Sequence, residues 1–295
     1  MTMSTVIGVD IGGTKIAAGR VSSAGRIDGL RRCHTPATEG STAVLDAVVR
    51  LVKEVRGTTP VVAVGVSTGG IVDHATGTIV AATDLIAGWA GCGVADELSN
   101  RLGVPVSVDN DGNCFALAES RLGLCAPTTI CVAVGTGIGG GILVDGRLLR
   151  GINHLAGEFG HLTVDTIARC SCGKVGHLEA LAAGPALNAR YLAAGGTASS
   201  FQAAIEGSAP DPVTRRVIWE GGRILGRAIA GPVLTLDADL VVLGGGVAEI
   251  GHPYLAAVES GLREALPHQR PLRVRGAAGG TNSAVIGAAI LMEQR

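Results

Sequence analysis

The stretch Val108–Glu119, VDNDGNCFALAE, runs from an extended, β-branched approach into helix-forming residues. Val104–Val108 reads as a strand, and helical residues resume at Cys114. Between them Asp109, Asn110 and Asp111 are delivered to a polar edge. Three polar side chains at a strand-to-helix junction suit a site better than a core, because the scaffold holds them while the junction leaves them open. For Asp109 or Asn110 taken alone, capping of the helix explains the residue equally well.

Working outward, the chain alternates strands and helices. Val6–Asp10 is a short apolar strand that enters the turn Ile11–Lys15, and Ile16–Val21 returns from it. Ser41–Arg56 has helical spacing, with Val44, Leu45, Val48, Val49, Leu51, Val52 and Val55 on one side. Val61–Val66 is nearly all apolar, as in a sheet covered on both faces, and it stops at Ser67–Gly70. Ala95–Leu102 is predicted helical. The second half repeats the strand, glycine turn and strand in Ile130–Val134, Gly135–Gly141 and Ile142–Val144. Then come an irregular insert, His154–Glu179, and helices over Pro185–Gly195 and Pro212–Leu236, the latter interrupted near Gly231–Pro232. A strand over Asp239–Leu243 ends at Gly244–Gly246, Val274–Gly276 enters a polar turn at Gly280–Asn282, and Ser283–Met292 is a final helix. The pattern is α/β: a sheet with helices on both faces, built twice, leaving a cleft between the halves.

Composition narrows the function. The 295 residues are enough for about two domains, and 24 Lys plus Arg against 25 Asp plus Glu give a net charge of -1. Nothing in that balance invites nucleic acid. A mean hydropathy of +0.41 is spread along the chain without an 18-residue apolar run, and MTMSTVIGVD lacks a basic start. The expectation is therefore a cytoplasmic protein with no membrane partner. With 46 glycines and only 2% aromatic residues, small side chains fill the core and many turns bring backbone close to something. Seven cysteines, an odd number in a chain too long to need disulfide staples, point to reduced thiols, about three of them buried.

Two glycine turns can handle phosphate. In Asp10–Ile11–Gly12–Gly13–Thr14–Lys15 the glycines admit backbone N–H groups to an anion, Thr14 adds a hydroxyl, and Asp10 at the strand end can hold magnesium or its water shell. The spacing is too short for a Walker loop, and a tight hairpin tip is the plain alternative. Gly135–Gly141 makes the case more strongly, with five further glycines beside Thr136 and Ile138, and Thr136 and Gly137 at its head. Gly244, Gly245 and Gly246 follow an apolar strand and could pass under a nucleotide base or ribose.

His161, Cys170, Cys172 and His177 match a tetrahedral zinc site. Cys-x-Cys is a tight spacing, which the turn Gly173–Gly176 can accommodate. With four protein ligands such a zinc is structural, ordering a loop and leaving no place for activated water. A pair of buried cysteines beside two surface histidines is the rival. If zinc draws the loop together, Glu158 and Glu179 can point into the cleft and accept hydrogen bonds from a polyol; otherwise each is a solvated surface residue.

These residues carry a resemblance. DIGGTK at Asp10–Lys15, Asn110–Asp111–Gly112, GTGIGGG at Gly135–Gly141, and GEFGH followed by CSCGKVGHLE together resemble the ROK family (repressors, open reading frames and kinases) over essentially the whole chain. The resemblance implies two ribonuclease-H-like domains of the actin-like, hexokinase-like ATPase fold. The first would comprise residues 1–118 plus 281–295, with the C-terminal helix packed back on it. The second would comprise 119–280, with the zinc-binding insert at about 154–179. It implies ATP with magnesium in the cleft, structural zinc, a small-molecule sugar and a homodimer. By the same resemblance Asp111 is the catalytic base, and Gly69, Asn110, Asp111, Glu158, His161 and Glu179 contact the sugar. Asp10, Gly12, Gly13, Thr14, Lys15, Thr136, Gly137, Gly244, Gly245 and Gly246 serve the nucleotide, and His161, Cys170, Cys172 and His177 the zinc. His177 stands where the family has a third cysteine, Asp109 where Glu is common, and Gly112 where Ala is usual. The expected activity is phosphorylation of a sugar 6-hydroxyl. Ser67–Thr68–Gly69 is similar to the stretch in bacterial N-acetylmannosamine kinases and favours that sugar, with glucose as the alternative. Sugar-sensing repressors of the family carry an N-terminal helix-turn-helix domain, for which a phosphate motif beginning at Asp10 leaves no room.

Overall fold

The computed structural model describes residues 5–207, 211–267 and 271–294. The first half runs β1 (Thr5–Ile11), β2 (Lys15–Val21), β3 (Ile27–His34), α1 (Ser41–Arg56), β4 (Val61–Thr68), a small hairpin of β5 (Ile71–Asp73) and β6 (Thr78–Ala81), α2 (Val94–Leu102), β7 (Val106–Asn110) and α3 (Asp111–Arg121). The second half runs β8 (Thr128–Val134), β9 (Ile138–Val144), β10 (Arg147–Leu148), α4 (Glu179–Ala182), α5 (Gly184–Ala193), α6 (Phe201–Glu206), α7 (Pro212–Leu236), β11 (Leu240–Gly244), α8 (His252–Ala265), β12 (Arg273–Gly276) and α9 (Ser283–Ile290).

The repetition seen in the sequence is a repetition of topology. One sheet has the order β3-β2-β1-β4-β7 and the other β10-β9-β8-β11-β12. In each, the first strand pairs antiparallel with its hairpin partner and parallel with the next strand inward. The parallel strands of both sheets therefore end on chemistry-bearing turns, the usual place for ligands in α/β folds. β1 leads to the Gly12–Gly13 turn, β4 to Gly69–Gly70, β7 to Asn110–Asp111, β8 to Gly135–Gly137 and β11 to Gly245–Gly246.

Burial explains which stretches took which form. On α1 all seven predicted apolar residues are buried against the first sheet. A second core surrounds β8, β11, α5 and α7. A third lies between the sheets and draws mainly on α3 and α9, where alanines and Cys114 alternate with larger residues such as Phe115, Leu117, Ile286 and Ile290. There glycines replace side chains altogether. A Cβ at Gly8 in β1 or Gly65 in β4 would overlap carbonyls of α9, and one at Gly287 in α9 would overlap the Cys114 carbonyl of α3. Buried Glu119, at the end of the opening stretch, fastens this joint by accepting from the Gly279 N–H at 3.1 Å and the Ser283 hydroxyl at 2.8 Å. The position 118/119 expected to separate two domains thus lies inside α3.

Three local expectations shift. α7 is continuous through Pro232, because its glycine-lined face is clamped on α8 at Gly222 and Gly226 while Gly231 has open space around it. β7 occupies 106–110 rather than 104–108, and the helix begins at Asp111 rather than Cys114. That register turns Asp109 inward. The insert over 154–179 is irregular as expected, with one 3-10 turn at Phe159–His161 and two isolated bridges, Thr163 to His177 and Arg169 to Val175. Among the described residues no helix is long and apolar enough to cross a membrane.

Candidate active site

Asn110 and Asp111 divide the polar junction between them. Asn110 is the N-cap of α3: its Oδ1 accepts from the Gly112 N–H at 2.8 Å, and its Nδ2 donates to the Gly70 carbonyl at 2.8 Å. Capping and site placement are therefore one arrangement, since the cap ties the helix start to the β4 turn. Asp111 is the first helical residue, open on its outer side and sharing the Gly112 N–H at 2.8 Å. Protein crowds it on its other sides. Loss of hydration raises its carboxyl above the usual carboxylate range, and the backbone N–H groups only partly offset this.

Asp109, the third member, is no part of the open site. Its Oδ1 accepts from Asn110 N–H and Asn113 Nδ2, each at 2.8 Å, and its Oδ2 faces Arg150 Nε at 2.8 Å. This pair joins β7 of the first half to the loop after β10 in the second.

Around Asp111 stand two more carboxylates. Asp10, at the C-terminal end of β1, is pushed to a pKa of about 6 by burial first and by Asp111 second, against a 3.2 Å hydrogen bond from Ser67 Oγ and the charge of Lys15. Glu158 is raised by burial, then by Asp111 and Glu179. Mutual repulsion among partly desolvated acids marks a place for hydroxyl donors and a cation. Glu179 has a protein partner at each carboxylate oxygen. Its Oε2 accepts from the Ile138 N–H at 3.0 Å and its Oε1 from Ser171 Oγ at 2.7 Å, so it ties the insert to the second glycine turn.

The two turns are tight hairpin tips, closed by Gly12 N–H to the Lys15 carbonyl at 3.0 Å and by Gly135 N–H to the Gly137 carbonyl at 2.9 Å. Thr14, Lys15 and Thr136 are exposed on them. Several glycines serve packing. Gly140 lies under the Phe159 ring, a Cβ at Gly137 would meet Glu179, Gly244 abuts the Phe115 ring, and Gly245, with φ +83°, lies on the Val134 backbone. Gly69 and Gly246 have open space where a side chain would be.

His161, Cys170, Cys172 and His177 converge, with one donor atom from each lying within 4.8 Å of all the others. The His161 and His177 Nδ1 atoms are 3.1 Å apart, and Cys172 Sγ is 3.2 Å from His177 Nδ1. Two imidazoles and two thiols at this spacing fit a tetrahedral zinc, and His177 reaches the cluster with the other three. The turn needs its glycine: Gly176 has φ +86°, and a Cβ there would overlap the Asp165 carbonyl. With Nδ1 turned to the cluster, His161 presents Nε2 to Glu158 Oε2 at 3.8 Å.

Residues 6–295 match the ROK family. The chain belongs to that family. Its relatives include the glucokinase of Streptomyces coelicolor, 32% identical over 317 residues with 99% of this chain and 98% of that protein covered. The N-acetyl-D-glucosamine kinase of Salmonella typhimurium is 34% identical, covering 96% and 98%. The crystal structure of a ROK family glucokinase from Streptomyces griseus, in complex with glucose and AMPPNP, superposes with a TM-score of 0.84 at 33% identity, covering 99% of this chain and 100% of that one. This chain is thus a ROK-family sugar kinase with the actin-like, hexokinase-like fold.

Some residues that shape this ROK kinase gave no sign in the sequence. Arg150 and Ser171 lie in loops of ordinary polarity. Trp89 is buried and donates its Nε1–H to Thr68 Oγ1 at 3.1 Å, and Glu119 reads as a surface helix residue until its partners, 159 to 164 positions away, are in place. The one available signal was apolar context: Glu119 follows Phe115–Ala118, all of which are buried.

Proposed function

We propose that this kinase transfers the γ-phosphoryl group of ATP to the 6-hydroxyl of a hexose or N-acetylhexosamine, with Asp111 as general base. The observation that carries this is the position of Asp111 at the start of α3, near enough to Asp10 of one sheet and Glu158 of the other half for its charge to raise both carboxyls. A hydroxyl donor placed there meets acceptors on two sides. Asp111 takes the proton of the 6-hydroxyl, the freed oxygen pair forms the bond to the γ-phosphorus, and the bond to the bridging oxygen breaks with its electrons leaving on ADP. The products are the sugar 6-phosphate and ADP. Glu158 and Asn110 orient the sugar hydroxyls, and the N–H groups of Gly13, Thr14, Thr136 and Gly137, beside the Gly12 and Gly135 N–H groups that close the two turns, receive the phosphates.

Asp10 would hold the nucleotide's magnesium, which supplies neutralising charge for the phosphates. His161, Cys170, Cys172 and His177 would hold a structural zinc, which fixes the loop carrying Glu158 and His161. Adenosine would pass over Gly246, where the open surface of that turn lies.

For the acceptor we place N-acetylmannosamine first and glucose second. Ser67 and Thr68 are buried and their hydroxyls face Asp10 and Trp89, so the Ser67–Thr68–Gly69 stretch can act on the sugar only through Gly69. The open space beside Gly69 leaves room for a substituent such as an acetamido group. A non-catalytic sugar sensor of the same family is the reading of another class. A coupled ADP-release assay with ATP, magnesium and N-acetylmannosamine, N-acetylglucosamine, glucose or mannose separates these. At least a tenfold advantage in kcat/KM for N-acetylmannosamine, about 1.4 kcal/mol of transition-state discrimination, is expected. An advantage for glucose replaces the acceptor and keeps the mechanism. Sugar binding without ADP release directs attention first to zinc content at His177, and only zinc-loaded protein that binds sugar and transfers phosphate from neither ATP nor polyphosphate would favour the sensor.

A further inference from the structure

A second cluster of metal-ligating side chains lies outside both the cleft and the cysteine-bearing loop. Asp73 and His74 stand at the end of β5 in the first half, and His154 in the loop after β10 in the second. One donor atom from each lies within 4.8 Å of the other two. His154 Nε2 stops 3.7 Å from Asp73 Oδ1, beyond hydrogen-bond reach, and His154 Nδ1 is buried with no hydrogen-bond partner. The two imidazoles meet edge to face at 5.6 Å and 71°. A polar ring at the seam of two lobes, with neither nitrogen hydrogen-bonded to any of the described residues, leaves donor capacity unused.

The surroundings hold this geometry from both sides. Asp73 is oriented by the Ala75 N–H and the Thr76 hydroxyl, each at 3.0 Å, and each carboxylate oxygen keeps a further lone pair. His154 sits at φ +59°, a conformation unusual for a residue with a side chain. Its loop is anchored next to the Arg150–Asp109 pair, and the Ala156 N–H reaches back to the Arg150 carbonyl at 3.2 Å. Metal–nitrogen and metal–oxygen bonds of about 2.0–2.2 Å separate neighbouring donors by roughly 3–4 Å. Small side-chain adjustments therefore complete the set.

We propose that Asp73, His74 and His154 bind a divalent transition-metal ion, such as zinc, that bridges the two halves of the kinase. Two imidazoles and one carboxylate select zinc, cobalt or nickel over magnesium or calcium, which take all-oxygen sets. Three protein ligands leave open positions for water, unlike the closed set at Cys170 and Cys172. Because the ligands come from opposite sides of the seam, a bound ion resists separation of the halves.

Cobalt(II) titration of the full-length, metal-stripped protein tests this, read by bound-metal count and by the sulfur-to-cobalt charge-transfer band that only the cysteine site can produce. The expected result is a cobalt equivalent in the parent that gives no such band. It is lost in both His74→Ala and His154→Ala, while the thiolate band stays. His74 is exposed, so its removal leaves the core intact. Zinc should also raise the unfolding midpoint of a Cys172→Ser parent, and raise it less once His74→Ala is added. Unchanged cobalt stoichiometry in either histidine variant, or no bound cobalt beyond the thiolate-banded equivalent in the parent, overturns the proposal and leaves only a histidine–carboxylate pair.

Discussion

Arg150 Nε and Asp109 Oδ2 meet at 2.8 Å across the seam between the halves, with only 2% of the Asp109 side chain exposed. Removing one member strands the other. Arg150→Ala leaves a carboxylate that keeps its two N–H donors but loses its countercharge, and the expected cost is about 3 kcal/mol. Urea denaturation followed by circular dichroism measures it. Arg150→Lys should recover only part, because a point charge replaces the directional guanidinium contact. A loss below about 1 kcal/mol for the alanine variant would mean that solvent already screens the pair.

Asp111→Asn should remove turnover while sugar affinity stays within severalfold, as expected when a proton acceptor is lost and its shape is kept. Retained turnover above a few per cent would exclude the base role. The wild-type pH profile offers a second check. Asp111 acts ionised, and burial raises its carboxyl. Activity therefore falls as pH drops through a value above the ordinary carboxylate range, and Asp10, at about 6, must lose its proton over the same interval. The acid limb of kcat/KM should accordingly have its midpoint nearer pH 6 than pH 4.

Gly112 follows the base directly, and its backbone presses on β9. A Cβ there would overlap the Gly140 carbonyl, and Gly157 approaches the same carbonyl from another side. Gly112→Ala, although alanine is the better helix former, should push the start of α3 outward. Overpacking of this kind costs about 1–3 kcal/mol, and displacement of Asp111 should lower kcat more than it raises KM for the sugar. Wild-type kcat in this variant would show that α3 and β9 can part without moving the base.

Much of the architecture is legible in residue order because its signals are local. The apolar side of α1 and the glycine turns at the ends of β1 and β8 depend on near neighbours, and the topology then brings those ends together. What stays hidden depends on partners far along the chain. A one-position shift in strand register decides whether Asp109 faces the cleft or the core, and side-chain alternation in Val104–Val108 does not settle that. Glu119 and Arg150 become legible only when α9 and the β10 loop are placed. Glycines are ambiguous for the same reason: Gly140 reads in sequence as part of a phosphate turn and Gly245 as part of a turn under a nucleotide base or ribose, while in the fold they are points where backbone rests on backbone or ring.

Asp10 carries the last test, because its environment sets function against stability. Its folded pKa of about 6 lies above the ordinary 3.8, so between those values the folded protein holds more of this proton than the unfolded chain does. Stability from this group falls as pH rises through the window, and above pH 6 the full penalty of an ionised, crowded carboxylate remains. Asp10→Asn removes that charge and keeps a side chain of the same shape beside Ser67 Oγ. In the absence of nucleotide and metal the variant should be more stable than wild type at pH 7, by up to about 3 kcal/mol, and the gain should vanish near pH 4. Turnover should be lost. Thermal unfolding of both proteins at pH 4 and pH 7 measures the difference. Equal stability at pH 7 would mean that Lys15 and solvent already balance the charge, and that Asp10 is ready for a cation at no cost to the fold.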